Sequence, residues 1–300
     1  MTTGFPILFV TLLALLPVVA RADAPVERPY PAVAYAHEEI TSPAPQRIHV
    51  ARIDLSHPDV KVRAAAGGAD PDGAGPWQTT LMRPTDVAER EGFDVVINGD
   101  FFAHLSGKDA EGAAALKEFR RGIPAKVSGP AVTGGKLWGP TTKPRASFLI
   151  DRRKRPAIAV VQDPPADAAE VVAGSDVIVR NGKNVAPPGL KPGFARGPHP
   201  RTAVGIADEG KTLLLIVVDG RKKGVATGMS LSELADVMLK HGAKQAVNLD
   251  GGGSSVLAIR DPQTGAMRIR NTPSDGRERV VANVLGVTVT KNPAMTRPAR

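Results

Sequence analysis

The residues best suited to do chemistry lie in one short stretch, Ala246 to Val256, which reads AVNLDGGGSSV. An apolar run ends there at Asp250 and is followed by three glycines and two serines. Consecutive glycines interrupt a helix or strand and let the backbone approach a ligand closely. A carboxylate, a tight bend and two hydroxyl groups therefore meet at one point, which indicates a site for a polar, oxygen-rich substrate.

Two other apolar runs also end in aspartates. Leu213 to Val218 leads into Asp219, and Val95 to Ile97 leads into Asn-Gly-Asp at 98–100. If the ends of these strands lie at one edge of the fold, their three carboxylates line one pocket. A turn-forming aspartate next to glycine is the alternative interpretation of each.

The elements that must position these residues can be read in outline. Ser230 and Glu233 form a capping box, and Gly242 ends the helix that the box begins. This helix joins the strands 213–218 and 246–249, so we predict a β-α-β unit of parallel neighbours with both aspartates at its carboxyl edge. Many short strands and few clear helices predict an α+β fold, a mixed β-sheet core with packed helices.

The chain divides into four predicted segments. Residues 1–24 resemble an export signal, since Phe5 to Ala20 is almost wholly apolar and small residues follow at a spacing that signal peptidases accept. Because no Lys or Arg precedes Phe5, a retained membrane anchor is the alternative. Residues 25–45 are rich in Pro and Ala and predict a linker or extended lead-in. Residues 46–291 form the main domain and 292–300 a basic tail.

Composition narrows the classes of partner. The net charge of +9 favours anionic partners, but aromatic residues at 4% and the predicted export signal argue against nucleic acid. The absence of cysteine excludes disulfides, a thiol nucleophile and thiolate zinc sites. No segment after the signal is long and apolar enough to span a bilayer, so we expect no stable membrane insertion once the signal is removed. An exported protein without disulfides fits a bacterial periplasm or a secreted bacterial protein.

Six ordered blocks resemble the phosphodiester glycosidase family. They are INGDFF at 97–102, HPRTAVGI at 199–206, VVDGR at 217–221, GMSLSELA at 228–235, VNLDGGGSSV at 247–256 and NTPSDGRERVVANVLGV at 271–287. The resemblance implies an exported hydrolase that cleaves the glycosidic bond of a sugar-1-phosphodiester to a free sugar and a phosphomonoester. The substrate would be similar to an N-acetylglucosamine-1-phosphodiester or would be an envelope or exopolysaccharide glycan. Asp100 stands where many members have glycine, and residues 108–144 match poorly.

This chemistry gives the aspartates their predicted roles. Glycoside cleavage generally uses one carboxyl group near the leaving oxygen and another that attacks the sugar or activates water. A phosphate leaving group needs less protonation than an alcohol, so one carboxylate with cationic groups can suffice. We predict Asp250 as nucleophile or base, Asp219 as its partner and Asp100 as a reserve.

The remaining predicted site residues bind substrate. Guanidinium groups offer paired donors to phosphate oxygens, which favours Arg201, Arg221 and Arg279, with a salt bridge as the alternative interpretation of each. Side-chain amides, hydroxyls and backbone N–H groups complete the set: Asn98, Gly99, Thr202, Asn248, Gly251, Gly252, Gly253, Ser254, Ser255 and Asn271. No cofactor is required, with a divalent cation bound by the aspartates as an alternative helper.

Two other functions stay open at this point. One is an envelope module that binds anionic glycans without cleaving them. The other is a phosphodiesterase that cuts the oxygen–phosphorus bond with the help of a metal.

Overall fold

A computed structural model of the chain describes residues 25–105, 119–188 and 193–289. The predicted export signal and basic tail lie outside these residues. The described chain contains two α-helices, α1 at Pro84–Glu91 and α2 at Leu231–Lys240. Neither combines the length and the apolar character that a crossing of the bilayer demands.

Strands make up most of the fold. In chain order they are β1 Val26–Tyr30, β2 Val33–Ile40, β3 Gln46–Asp54, β4 Val60–Ala66, β5 Thr79–Thr80, β6 Val95–Asn98, β7 Phe102–His104, β8 Pro124–Val127, β9 Ala131–Thr133, β10 Lys136–Leu137, β11 Arg145–Asp151, β12 Pro156–Val161, β13 Ala168–Ala173, β14 Val177–Arg180, β15 Lys183–Asn184, β16 Arg201–Ala207, β17 Thr212–Val218, β18 Gln245–Asn248, β19 Leu257–Arg260, β20 Met267–Ile269 and β21 Asn283–Val289.

These strands build four sheets. The largest has eight strands in the order β1-β2-β3-β17-β16-β18-β14-β15. Two five-stranded sheets have the orders β20-β19-β6-β21-β4 and β10-β9-β13-β11-β12, and a small sheet has the order β5-β8-β7. The hydrogen-bonded strand pairs of the described residues are all antiparallel.

Strand β17 shows how the sheets and helix α2 share the core. Successive side chains of a strand point to opposite faces, so an uninterrupted apolar strand must be covered on both. Leu213 and Leu215 lie in one core cluster with residues of β6, β11 and β21. Leu214 and Ile216 lie in another with Leu234 and other residues of α2. The TLLLIVV sequence of β17 is therefore buried on both faces, which fixes the end of the strand where Asp219 follows.

The predicted β-α-β unit needs a correction. Strand β16 lies between β17 and β18 and pairs antiparallel with both, through Arg201 opposite Val218 and Ala203 opposite Asn248. The outer two strands run in the same direction but are not neighbours, because β16 takes up a hydrogen-bonding edge of each. Their carboxyl ends still lie at one edge of the sheet.

The fold-class prediction holds only in part. The β-sheet core is present, and strands of both directions occur in its largest sheet. Helices cover little of it: α2 packs on the eight-stranded sheet, while α1 contributes Val87 and Ala88 to a small cluster with β6 and β21. The packed helical layer implied by an α+β description is not what the described residues form.

Residues 25–45 are part of the eight-stranded sheet. They form β1 and β2 at its edge, where Pro29 is tolerated because an edge strand has N–H groups that need no ladder partner. Pro31 lies in the turn between the strands, and Val33 and Tyr35 are buried. Of the two interpretations of this segment, a linker or an extended lead-in, the strands agree with the extended one, since the apolar alternation outweighs the prolines.

The capping box at the start of α2 forms as the sequence indicates. The Glu233 N–H donates to the Ser230 hydroxyl at 3.2 Å, and the Ser230 N–H donates to the Glu233 carboxylate at 2.8 Å. We expect Ser230→Ala to lower the free energy of unfolding by about 1 kcal/mol, because it leaves an N-terminal N–H of the helix without its acceptor. Urea unfolding followed by circular dichroism measures this loss. Ser230→Asp, which keeps an acceptor, is the matched control, and an equal loss in both variants would contradict the capping explanation.

Candidate active site

The site lies where two sheets meet end to end. Asp250 follows β18 of the eight-stranded sheet, and Gly99 follows β6 of a five-stranded sheet. The Asp250 N–H donates to the Gly99 carbonyl at 3.0 Å, so the two strand ends are joined directly. The common edge predicted from the sequence thus includes the end of β6 as well as those of β17 and β18.

Asp250 combines partial burial with several groups that favour its charged form. Burial raises the pKa of its carboxyl group to about 6, against the opposing effects of the Ser254 hydroxyl, the Gly251 N–H and two arginines, Arg279 and Arg221. The Gly251 N–H donates to Oδ1 at 2.8 Å. At neutral pH the group is therefore mainly a carboxylate, but it accepts a proton more readily than an ordinary aspartate.

The glycines after Asp250 allow two guanidinium groups to approach the backbone. A Cβ atom on Gly252 would lie 3.1 Å from both terminal nitrogens of Arg221, and one on Gly253 would overlap the guanidinium of Arg279. Gly252 also has a φ of +62°, a conformation that side chains rarely adopt. Because both arginines act electrostatically on Asp250, this carboxylate and the two cations form one charged group.

The surroundings of the two arginines differ. Arg221 is exposed, with a φ of 59°, and its Nη2 lies 3.4 Å from His199 Nδ1. Arg279 forms an ion pair with Asp275 at 2.7 Å, and its guanidinium lies 4.1 Å from the centre of the Phe119 ring. Arg221 is therefore the more accessible to an anion, whereas Arg279 is fixed in place by its neighbours.

Asn98 supports the site from beneath. Its Nδ2 donates to the Asp250 carbonyl at 2.7 Å, and its Oδ1 accepts from the Thr202 hydroxyl at 2.8 Å and from the Val256 N–H at 3.2 Å. Asn98 and Thr202 are both fully buried. Their polar side-chain atoms make hydrogen bonds within the protein that position the Asp250 and Val256 backbone, and a contact of either residue with substrate stays a prediction.

Gly99 and Asp100 are held by Asn283, the first residue of β21. The Asn283 Oδ1 accepts from the Asp100 N–H at 2.8 Å, and a Cβ on Gly99 would overlap this same amide oxygen. The Asp100 Oδ2 accepts from the N–H groups of Ser128 and Gly129 at 2.9 and 2.8 Å. Glycine is thus required at 99 by close packing, and Asp100 is directed at the loop after β8.

Asp100 is buried and close to one cation. Burial raises the pKa of its carboxyl group to about 7, although Arg145 opposes this with an Nη2 3.8 Å from Oδ1. Oδ1 has no hydrogen-bond partner among the described residues. The structure therefore leaves Asp100 Oδ1 with the ion pair to Arg145 as its polar contact among the described residues.

Arg201 is buried, unlike the phosphate ligand predicted from the HPRTA block. Its Nε donates to the Met229 carbonyl at 2.8 Å, and its Nη2 donates to the carbonyls of Gly197 at 3.1 Å and of Phe194. Burial lowers the pKa of its guanidinium to about 10. Arg201 thus holds the 194–197 segment and Met229 against the start of β16, and a contact of its guanidinium with phosphate stays a prediction.

The carboxylate of Asp219 also makes its hydrogen bonds within the protein. Its Oδ1 accepts from the Thr272 N–H at 2.8 Å and the Asn271 amide at 3.3 Å, and its Oδ2 lies 3.4 Å from His49 Nε2. Burial acts to raise the pKa, but the bonds from His49 and Thr272 outweigh it, and the pKa of Asp219 lies below its usual value. Asn271 donates in turn to the Ser255 carbonyl at 3.1 Å, so Asp219 and Asn271 support the loop after Asp250.

Other buried polar atoms near Asp250 lack protein partners. Asn248 is fully buried, and its Oδ1 accepts no hydrogen bond from the described residues. The hydroxyl of Ser255 is likewise buried and unpartnered in that part of the chain. Buried polar atoms are normally satisfied, and exceptions cluster where a ligand or water binds. Asn248 and Ser255 therefore keep the hydrogen-bonding capacity that the sequence assigned to them.

A metal site does not form from the described residues. No three His, Asp or Glu side chains come together there as ligands of one ion would. Asp100, Asp219 and Asp250 end in separate environments, each with its own hydrogen-bond donors. The divalent cation considered as a helper stays an untested alternative.

Three positioning residues were not singled out from the sequence. His49 lies in β3 beside Asp219, Asn283 orders Gly99 and Asp100, and Arg145 faces Asp100. His49 is a histidine between the apolar Ile48 and Val50 of the alternating strand β3, and Asn283 lies within the last of the six sequence blocks. These sequence features could have pointed to His49 and Asn283, whereas Arg145 starts a strand that carries no motif.

Solved structures share this fold. The catalytic domain of zebrafish N-acetylglucosamine-1-phosphodiester alpha-N-acetylglucosaminidase, auto-inhibited by its pro-peptide, aligns with a TM-score of 0.61 at 19% identity, covering 89% of this chain and 86% of that one. A hypothetical protein from Synechocystis aligns with a TM-score of 0.57 at 15% identity, over 90% and 64% of the two chains. A candidate exported protein of Burkholderia pseudomallei K96243 gives 0.55 at 18% identity, over 81% and 74%.

Sequence comparison leads to the same family. The SPbeta prophage-derived uncharacterized protein YomE of Bacillus subtilis is 37% identical over 90 residues, which are 30% of this chain but only 13% of that protein. The profile of the phosphodiester glycosidases matches residues 91–288, about two thirds of the chain. This match contains the six blocks and the groups around Asp250, and the resemblance noted in the sequence is confirmed: the chain belongs to the phosphodiester glycosidase family.

Proposed function

We propose that this protein hydrolyses a sugar-1-phosphodiester at the bond between the anomeric carbon and the phosphate oxygen. The observation that carries the proposal is the Asp250 carboxylate beside the guanidinium groups of Arg221 and Arg279, against the bare backbone of Gly252 and Gly253. A carboxylate next to two cations suits a reaction that breaks the bond between a sugar carbon and an anionic leaving group.

Each charged group has a role in this reaction. Asp250 attacks the anomeric carbon or removes a proton from the water that does so. Arg221 and Arg279 bind the phosphate and balance the charge that it gains as the bond to the sugar breaks. The oxygen of water ends on the sugar, and the phosphate leaves as a phosphomonoester. Since such a leaving group is a weak base, the proposal needs no second carboxyl group as acid.

Other groups would orient the sugar and support the loop. The free Oδ1 of Asn248 and the Ser255 hydroxyl offer an acceptor and a donor for sugar hydroxyls. Asn98 and Asn271 hold the backbone on which Asp250 and Ser255 lie. Membership of the family and the fold shared with the zebrafish enzyme support the same chemistry. Export to the periplasm or medium is part of the proposal, supported by the apolar segment at 5–20 and by the Burkholderia neighbour.

We expect Asp250→Asn to reduce kcat/KM by about 100-fold or more, because the amide cannot act as base or nucleophile while it still accepts the Gly251 N–H. The measurement is release of free sugar from a panel of nitrophenyl and UDP-linked sugar-1-phosphodiesters. Asp163→Asn removes the same charge from an exposed residue and should keep full activity. Full activity in Asp250→Asn would contradict the assignment.

Isotopic water identifies the bond that breaks. In water enriched in oxygen-18, we expect the label in the released sugar and none in the phosphomonoester, since water attacks carbon. Mass spectrometry of both products measures this. Label in the phosphate would instead indicate a phosphodiesterase, and binding of every panel compound without cleavage would favour a glycan-binding module.

The pKa of Asp250 predicts the pH dependence. Because the carboxylate is the active form, kcat/KM should rise with pH through about 6 and level off above it. Arg221→Gln should move this rise to higher pH, since the lost guanidinium favoured the charged carboxylate. His199 contacts Arg221 and also titrates, so His199→Gln is the control and should leave the rise in place. A rise that disappears in that control would belong to the histidine.

A further inference from the structure

A cavity of about 580 Å³ adjoins the site on the side of Arg279. It is lined by arginines and a few other side chains: Arg83, Phe119, Arg120, Arg121, Asp275, Arg277, Glu278, Arg279 and Val280. Its volume is in the range that holds a small organic ligand. Nothing in the reaction proposed above uses this space, apart from Arg279 itself.

The charges in the cavity are not balanced. Five arginines line it, against the two carboxylates of Asp275 and Glu278. Asp275 pairs with Arg279, and Glu278 accepts from the Thr85 N–H and hydroxyl at 2.8 and 2.6 Å. Both carboxylates therefore already have partners in the protein, and Arg83 is paired with Asp86 at 3.1 Å. The positive charge left over in the cavity is that of Arg120, Arg121 and Arg277.

Three of these arginines, on two separate segments, have a distant carboxylate partner or none among the described residues. Arg120 and Arg277 form no ion pair with any residue in the described ranges, and Arg121 reaches only Asp86, at 3.6 Å. All three are exposed. Like charges repel when gathered in one concave surface, so such an arrangement is unfavourable unless an anion shares it.

Arg279 connects this cavity to the reaction centre. Its guanidinium lies against Gly253 and acts on Asp250, and the same side chain lines the cavity. A phosphate held by Arg279 would carry its second ester group on the side away from the sugar. The cavity that Arg279 also lines offers the space for this ester group.

We propose that the cavity binds the leaving-group side of the substrate and that this aglycone carries a phosphate of its own. The inference rests on the proposed function and specifies its substrate class: sugar-1-phosphodiesters whose aglycone is itself a phosphate ester, such as glycerol phosphate. Guanidinium groups bind phosphate through paired hydrogen bonds, and several of them together match the two negative charges of a phosphomonoester.

Binding of the released product tests the cavity without any need to know the sugar. Glycerol 1,3-bisphosphate and glycerol 3-phosphate differ only by the second phosphate, and calorimetry measures their affinities for the full-length protein. We expect the bisphosphate to bind about tenfold more tightly or better, as a charge-assisted contact predicts. This preference should shrink as the salt concentration rises.

Substitutions then identify the residues that cause the preference for the bisphosphate. Arg120→Gln/Arg121→Gln should bring the two affinities to parity, and the single Arg277→Gln variant should lower the preference by itself. Arg152→Gln/Arg153→Gln removes two exposed arginines from the turn between β11 and β12 and should change nothing. Equal affinity of wild type for both compounds, or an equal loss in the control pair, would overturn the proposal.

Turnover separates this proposal from the function on which it rests. With the sugar that the panel identifies, the diester of glycerol 3-phosphate should show a higher kcat/KM than the diester of glycerol. Cleavage of both diesters at the same rate, without a binding preference, would overturn the proposed role of the cavity and leave the proposed glycosidase activity in place. A binding preference without cleavage of any diester supports the cavity and overturns the glycosidase.

Discussion

The site depends on one buried side chain, the amide of Asn98. It donates to the backbone of Asp250 and accepts from Thr202 and Val256, so it joins the end of β6 to the eight-stranded sheet. A buried amide is costly unless its hydrogen bonds are made, and here both of its polar atoms are used. The backbone of Asp250 is therefore held in place by hydrogen bonds that join two sheets.

The site also depends on glycines that let other side chains approach the backbone closely. At 252 and 253 the absence of a Cβ lets two guanidinium groups lie directly against the chain, and at 99 it lets the Asn283 amide do the same. Side chains at these positions would displace the cations from Asp250 or separate the strand ends. The run of three glycines after Asp250 thus has a steric meaning beyond the formation of a turn.

The three aspartates share a sequence setting but differ in charge environment. Asp219 receives hydrogen bonds at both oxygens and is stabilised as an anion, whereas burial raises the pKa of Asp100 and Asp250. Among these, Asp250 is the one accompanied by both Arg221 and Arg279. A group that is ionised near neutral pH but still basic suits proton transfer, while a fully satisfied carboxylate suits support.

The sequence by itself determined the strands that end in aspartate, the capped helix α2, the family and the importance of the loop after Asp250. These depend on local patterns, namely apolar runs, capping residues and glycines, which act over a few positions of the chain. Only the tertiary structure decided that β16 separates β17 from β18, that Arg201 and Asn98 are buried, and that residues 25–45 extend the sheet. It also brought His49 to Asp219 and five arginines to one cavity. Such outcomes depend on which strands pair and which side chains become buried. Both are decided by contacts between residues that are far apart in the chain.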